Sequence, residues 1–330
     1  MNRKCIGCGA TLQSQDKNKP GYIIETLDNP KYCMRCFRII HYNDKMPIEL
    51  ENINNLVLDK VNKDKALKFF LIDLLNINKE TINTFNQIKG NKILLLGKMD
   101  IIPKSIKKQR IIDFLNTEYG IKDKIDFVSS KKNYNTGFIY KILEENNLEK
   151  AYVLGYTNSG KSNLINELCK KMDRDVIITT SNIPNTTLDF LDIDIEDKHI
   201  IDTPGFNLDN TFYNSAEFDL IDRINPKVVM SPLTYQLKED TRIVIEDRLS
   251  IQSDKKNNIT LYMSDRIKID KYFKDKITGQ VKEIKVPANS DIVIKGLGFI
   301  NVKKESIFKI TGEKLDLVEI RKSMFGDNNE

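Results

Sequence analysis

Gly155-Tyr156-Thr157-Asn158-Ser159-Gly160-Lys161-Ser162 is the stretch on which the fold turns. It is a complete G-x-x-x-x-G-K-S phosphate loop. An apolar run at 152–154 precedes it and a helical pattern at 163–171 follows, the strand–loop–helix setting such a loop needs. Gly155 and Gly160 let the backbone bend so that its amides face phosphate oxygens, and the helix N-terminus adds a favourable field. Lys161 is placed to neutralise charge between β- and γ-phosphates, and the Ser162 hydroxyl to ligate magnesium. Asn158, Ser159 and Asn163 complete the expected lining.

Further motifs lie on both sides. Downstream, Asp202-Thr203-Pro204-Gly205 ends a strand pattern as a D-x-x-G sequence. Asp202 is expected to hold magnesium through water, and the Gly205 amide to sense a γ-phosphate. Between the two motifs, Pro184-Asn185-Thr186-Thr187 reads as a switch loop. Thr187 is the preferred magnesium ligand, with Thr186 as its alternative. A base-selecting [N/T]-K-x-D motif is expected after Gly205, and none follows. Instead Gly97-Lys98-Met99-Asp100 stands upstream, directly after the apolar run 93–96. Asp100 can accept two hydrogen bonds from a guanine edge while the Lys98 stem packs on the ring. Val128-Ser129-Ser130-Lys131 closes the next strand pattern, where the Ser130 amide can meet the guanine carbonyl. Each signal is weak alone. Their weight comes from five motifs at strand ends that would face one edge of one sheet.

The wider pattern agrees. Apolar runs at 69–75, 93–96, 125–128 and 152–154 alternate with helical patterns at 79–89, 104–116 and 138–146, which predicts a mostly parallel sheet with helices on both faces. Runs at 188–195 and 199–201 read as an adjoining pair of strands. Beyond about residue 225, short strand candidates at 242–245, 259–263 and 291–294 predict a separate, strand-rich α+β domain. With 330 residues the chain accommodates a module at 1–45, an α/β nucleotide-binding domain at 46–222 and a C-terminal recognition domain at 223–330.

The N-terminal module carries four of the five cysteines. Cys5, Cys8, Cys33 and Cys36 form a C-x2-C-x24-C-x2-C array, suited to a closed tetrahedral zinc site. Gly7 and Gly9 suit the turn of a zinc knuckle. A redox dithiol would need a βαβ setting that is missing here. Arg35 and Arg38 could contact phosphates, and His41 is expected as a packing or RNA-contact residue, with a spare metal ligand as the alternative. Cys169 is expected as a small buried apolar residue on a helix.

Composition excludes other classes. Hydrophobic residues make up 40% and charged residues 30%, and no apolar run reaches the length of a membrane span. The N-terminus shows no secretory or transit pattern, and metal thiolates imply a reducing compartment, so the cytoplasm is the expected location. Residues 1–45 hold eight Lys/Arg against four Asp/Glu, and residues 253–310 hold thirteen against seven. Basic ends around a near-neutral centre suggest contact with an anionic polymer such as RNA.

The order of base motif, S-S-K, phosphate loop, switch threonine and D-x-x-G is that of circularly permuted GTPases. With the cysteine pairs in front, the chain resembles the YqeH family of ribosome-assembly GTPases. The resemblance extends over Tyr32-Cys33-Met34-Arg35-Cys36-Phe37, His41-Tyr42, residues 178–189 and residues 291–302. It implies a P-loop GTPase fold, GTP and GDP with magnesium and zinc as cofactors, and the small ribosomal subunit or its rRNA as partner, with neither membrane nor DNA expected. It also marks departures. Gly97 stands where the family usually has Asn, and Asn185 replaces a small Gly. Phe206 occupies the place where many GTPases put a water-orienting Gln, so intrinsic turnover should be slow. In related GTPases the residue matching Asn158 helps hold a potassium ion, which makes potassium a candidate cofactor. Two rivals share these motifs: a nucleotide-gated RNA-binding module with negligible turnover, and an ATPase.

Overall fold

Seven successive residues, Leu67–Asp73, are buried, as a strand enclosed on both faces requires. In the computed structural model this strand, β1, is central to a six-stranded sheet. The structure describes residues 3–17, 19–25, 30–42 (backbone alone at 40–42), 53–173, 178, 189–208, 210–212, 218–239, 241–273, 280–312 and 314–325. The remaining strands are β2 (Lys92–Gly97), β3 (Lys124–Phe127), β4 (Lys150–Gly155), β5 (Leu191–Ile195) and β6 (Lys198–Asp202), in the order β3-β2-β1-β4-β6-β5. All pairings are parallel except the β5–β6 hairpin. The helices are α1 (Met34–Tyr42), α2 (Ile53–Asn62), α3 (Lys79–Gln87), α4 (Lys108–Tyr119), α5 (Phe138–Glu145), α6 (Lys161–Lys171) and α7 (Phe218–Ile224).

The chain runs outward from β1 through β2 to β3, then returns to β4 on the other flank of β1. That reversal opens a crevice between β1 and β4 at the carboxyl ends of the strands, the usual ligand position in an open α/β sheet. A single core joins Phe69, Leu71, Leu95, Val153, Leu164, Leu168, Ile193 and Ile200 with the inner faces of α5 and α6. Cys169 lies within it, fully buried, as expected.

Several boundaries differ from the sequence reading, and two elements show why. The strand expected over 69–75 stops at Asp73, because pairing with β2 ends at Asp73 opposite Gly97 and the chain then turns into a 3-10 segment, Leu74–Asn76. The helix expected at 104–116 runs from Lys108 to Tyr119 and ends where Gly120 takes the left-handed conformation, φ 67°.

The chain divides into two compact units, neither continuous in sequence. One comprises Met1–Leu74, Glu80–Met99 and Asp123–Leu208; the other comprises Leu75–Lys79, Asp100–Lys122 and Asp209–Glu330. In the second unit, β16 (Val318–Lys322), β13 (Ser290–Ile294), β14 (Gly298–Val302), β10 (Asn257–Tyr262) and β7 (Leu233–Leu237) form one antiparallel sheet. A second contains β11 (Ile269–Phe273), β8 (Thr241–Ile245), β9 (Leu249–Ser253), β15 (Ser306–Gly312) and β12 (Val281–Val286). The sheets share a core in which Ile243, Ile251, Phe308 and Ile310 meet Ile259, Ile292, Ile300 and Val302. The α-helices of this unit, α4 and α7, both precede residue 225, so beyond it the described residues hold strands and a short 3-10 turn only.

β13 and β14 are buried on both faces. Tyr262, Phe299 and Phe325 pack together there, beside an Arg321–Asp291 ion pair whose side chains are fully buried. The Arg321 guanidinium lies 4.7 Å from the Phe299 ring centre and 5.3 Å from that of Phe114 on α4, and donates to the Ile77 carbonyl. This one side chain ties two segments from far upstream into the unit. Among the described residues no helix is long and apolar enough to cross a membrane.

Candidate nucleotide-binding site and cysteine centre

The phosphate loop leaves β4 with its backbone held in positions glycine serves best. Gly155 has φ 151°, and a Cβ there would fall 2.3 Å from the Leu71 carbonyl oxygen, so the loop packs directly on β1. Gly160 caps α6 at φ 96°, and Asn158 is also left-handed at φ 62°, a conformation Asn tolerates better than most residues. Lys161 is buried, and its Nζ donates to the carbonyls of Gly155 (3.0 Å) and Tyr156 (3.1 Å). Burial pulls the Lys161 ammonium down to about 8, against the opposing charge of Asp202. Ser162 Oγ donates to Asp202 Oδ2 at 3.1 Å, which brings both expected magnesium residues together. Ser159 is buried in the loop, and Asn163 lies in the first turn of α6.

The D-x-x-G turn is stitched to this loop. Thr203 Oγ1 donates to the Val153 carbonyl (3.0 Å), the Phe206 amide to the Gly155 carbonyl (3.1 Å), and the Thr157 amide to the Phe206 carbonyl (2.9 Å). A Cβ on Gly205 would fall 2.9 Å from Thr157 Cγ2 and 3.0 Å from its amide nitrogen, so only glycine fits without displacement. Phe206 is not a failed water-orienting residue. Fully buried, it packs at 5.8 Å from both Phe70 and Tyr156, beneath the phosphate loop.

The base-side loops adjoin each other. The Met99 amide donates to the Val128 carbonyl (3.3 Å) and the Val128 amide to that of Leu96 (2.9 Å). Lys98, with φ 60°, extends its ammonium to Asp73 Oδ2 at 2.7 Å, which fixes the stem expected to carry the base. Asp100 lies in the 3-10 turn Met99–Ile101. Gly97 lies close to the phosphate loop, since a Cβ on it would stand 3.4 Å from the Ser159 carbonyl oxygen. Ser129 exchanges backbone hydrogen bonds with Tyr134, and its Oγ accepts from the Lys132 amide, so residues 129–131 form a closed turn that presents Ser130 and Lys131. Thr186 and Thr187 lie outside the described residues.

Several supporting residues escape the sequence reading. Asp73 anchors Lys98, and its only signal in the sequence is a charge interrupting the apolar run 69–75. Asn135 braces the S-S-K strand through Asp126 and the Phe127 carbonyl (both 3.1 Å). Asn166, one helical turn beyond Ser162, clasps Ile178 through both its amide (2.8 Å) and carbonyl (2.9 Å).

At the N-terminus the sulfurs of Cys5, Cys8, Cys33 and Cys36 lie within 4.8 Å of one another, all buried. The Cys8 and Cys33 sulfurs are 3.9 Å apart, and Cys5 Sγ accepts from the Cys33 amide at 3.2 Å. The neighbouring thiols hold Cys5 well below its ordinary value and push Cys8 well above. Four thiolates so close are tolerable only around a cation, and the spacing and softness of this donor set fit tetrahedral zinc. Gly9, at φ 80°, makes the knuckle turn by donating to the Cys5 carbonyl (2.8 Å). Arg35 was expected to face phosphate, but it is buried, because α1 turns that side inward with Cys36; Arg38 is exposed. The side chain of His41 lies outside the described residues.

Residues 150–289 match a family described as 50S ribosome-binding GTPase. YqeH of Bacillus subtilis, described as uncharacterized, is 31% identical over 80% of this chain and 76% of its own length. NO-associated protein 1, chloroplastic/mitochondrial, of Arabidopsis thaliana is 24% identical over 81% of this chain, which spans 54% of that protein. A crystal structure of YjeQ from Thermotoga maritima is similar at a TM-score of 0.32 and 15% identity, covering 45% of this chain and 51% of that one.

Proposed function

The chain belongs to the YqeH family of circularly permuted GTPases, and from that membership we propose that it hydrolyses GTP while acting as an assembly factor for the small ribosomal subunit. The observation that supports hydrolytic chemistry is the meeting of Lys161, Ser162 and Asp202 at the reversal point of the sheet, with the Gly205 turn bonded to the same loop. In this reading the loop amides and Lys161 hold the phosphates, while Ser162, Asp202 and Thr187 or Thr186 hold magnesium, which supplies charge neutralisation at the transferring phosphoryl group. The Gly205 amide orients the γ-phosphate. Asp100 and Lys98 select guanine, and the turn of Ser129, Ser130 and Lys131 closes over its carbonyl edge. Zinc in the Cys5, Cys8, Cys33 and Cys36 site is structural, since four protein ligands leave no open position. We place the protein in the cytoplasm, where its thiols stay reduced.

With Phe206 committed to the core, help for the attacking water and the transition-state charge must come from elsewhere, and the resemblance to potassium-using GTPases supports Asn158 as the residue that recruits potassium. Multiple-turnover phosphate release should be faster in potassium than in sodium at equal ionic strength, by up to about 10²-fold. Asn158→Ala should erase most of that difference. GTP should be preferred over ATP, and Asp100→Asn should shift preference toward xanthine nucleotides. Equal turnover in the two salts would remove potassium from the scheme. Turnover that stays negligible even with ribosomal subunits would instead support a nucleotide-gated RNA binder, the reading that the buried Phe206 favours. Co-sedimentation of the GTP-bound protein with isolated subunits tests the partner. Binding to the large subunit alone, in line with the description of the matching GTPase family, would overturn the small-subunit assignment.

A further inference from the structure

Two turns at one end of the strand-rich unit concentrate lysine beyond what folding requires. Asp254-Lys255-Lys256 crosses from β9 to β10, and Lys303-Lys304-Glu305 crosses from β14 to β15. β9 pairs with β15 in one sheet and β10 with β14 in the other, so the turns run side by side. Where their strands meet, they are about 4.8 Å apart. Lys255, Lys256 and Lys304 are exposed, and Lys303 is half-buried. Like charges this close raise the energy of the free protein, and an anion laid across them would recover it.

The turns are also locked together. Asn257 is buried, and its Nδ2 donates to the Lys304 carbonyl (2.7 Å) and to Ser306 Oγ (2.5 Å), while its Oδ1 accepts from the Lys304 amide (3.1 Å). The Lys303 amide donates to the Asn258 carbonyl (3.1 Å), and the Asp254 amide to that of Ile307 (2.9 Å). Both carboxylates of the turns are drawn aside: Asp254 Oδ1 accepts from the Ile307 amide at 3.0 Å, and Glu305 pairs with Lys285 at 3.2 Å. At the other end of β9 charge is already paired, Lys268 with Asp247 (2.9 Å) and Arg223 with Glu246 (2.5 Å). A fixed backbone beneath four lysines lowers the ordering cost for a ligand that meets all of them.

We propose that this double turn binds the phosphodiester backbone of RNA, with Lys255, Lys256, Lys303 and Lys304 meeting phosphate oxygens. The inference rests on the reading of rRNA as the partner and names a surface that meets it. Neither turn carries an apolar or aromatic residue. No core for a protein interface and no platform for base stacking is therefore built there, whereas repeated phosphate needs only repeated charge. Recognition here is of backbone, not of sequence.

The test uses the full-length protein with GDP and magnesium, and a short fluorescent oligouridylate as probe. The four lysines are changed together to Gln, which keeps side-chain length and leaves Asn257 in place. Affinity over a salt series should fall by on the order of 10²-fold at low salt, and the slope of log K against log salt should shrink by about 3, near 0.7 per lysine. An equal charge change at exposed lysines of the other unit, with Lys63, Lys65, Lys89 and Lys171 made Gln, should leave both nearly unchanged. If the combined variant unfolds, the four single Lys→Gln variants carry the test, each with a slope loss of about 0.7. Wild-type slope in the turn variants, or an equal loss in the control, overturns the proposal. Displacement of the probe by polyglutamate as effectively as by unlabelled RNA would show that an acidic protein fits equally, and would overturn the assignment to RNA. Co-sedimentation with ribosomal subunits separates this failure from that of the partner reading. Oligouridylate binding through the double turn without subunit binding leaves the surface standing and removes the ribosome. Subunit binding that the turn variant keeps in full removes the surface and leaves the ribosome.

Discussion

The cysteine knuckle and the nucleotide-binding sheet are built on opposite physical principles. Among the described residues, the apolar neighbours packed around the four cysteines are Ala10, Leu12 and Tyr32, which is little buried surface to hold a fold. β1, by contrast, buries seven consecutive residues, and its neighbours add the apolar faces of α5 and α6. One region depends on ligand bonds from four sulfurs, the other on apolar area removed from water. The difference teaches where each should fail: the first all at once when its metal leaves, the second in proportion to the volume removed.

The largest expected effect follows directly. Structural zinc contributes on the order of 10 kcal/mol to such modules, so Cys33→Ser or chelation should unfold the knuckle. Metal analysis should show lost zinc, and limited proteolysis should cut within the first 42 residues while GDP binding survives. Simultaneous loss of GDP binding would show that the two regions are not independently built.

Phe206→Ala tests the other principle. Truncating a fully buried phenylalanine costs about 3–5 kcal/mol, here removing the ring shared by Phe70 and Tyr156. Thermal unfolding of the sheet should reveal that loss while zinc content stays constant. Phe206→Gln should be similarly destabilising and should not speed hydrolysis, because the side chain points into the core. A faster Phe206→Gln enzyme would contradict that placement.

A smaller effect sharpens the boundary between core and site at Lys161. With its ammonium pulled down to about 8 by burial, the folded nucleotide-free protein binds fewer protons than the unfolded chain between about pH 8 and the ordinary 10.5. Stability of the nucleotide-free protein should therefore gain with rising pH across that window. Triphosphate restores the charge, so GTP binding takes up a proton above pH 8. Affinity should be flat below pH 8 and fall by up to about tenfold per pH unit above it. Titrations from pH 7 to 9.5 check this, and a flat profile would mean the ammonium is already charged before nucleotide arrives.

The smallest expected change is at Gly97. An Asn there could donate to the Ser159 carbonyl, worth about 0.5–1.5 kcal/mol, against a modest shift of Leu71, whose Cδ1 lies 3.1 Å from the added Cβ. A several-fold gain in GTP affinity is the expected net result. A loss would assign Gly97 to close packing rather than to a missing brace.

The phosphate loop, the D-x-x-G turn, the four-cysteine array and the permuted order of motifs were all legible along the chain. These are local signals, in which spacing along the chain sets the chemistry and glycine or cysteine is required by backbone geometry or ligand type. Strand–helix alternation indicated the parallel sheet as well, since apolar runs such as 69–75 recur between helical patterns. The rest depends on how the elements pack. The core role of Phe206, the pairing of Lys98 with Asp73, the inward turn of Arg35, the recruitment of α4 by Arg321 and the fastening of Asn257 to Lys304 join residues that no periodicity connects. Their partners lie between 25 and more than 200 positions away, and a polar or aromatic side chain looks the same in sequence whether it meets solvent, ligand or a distant backbone carbonyl. What selects among these is desolvation, which is set by the packing of whole elements rather than by any one segment.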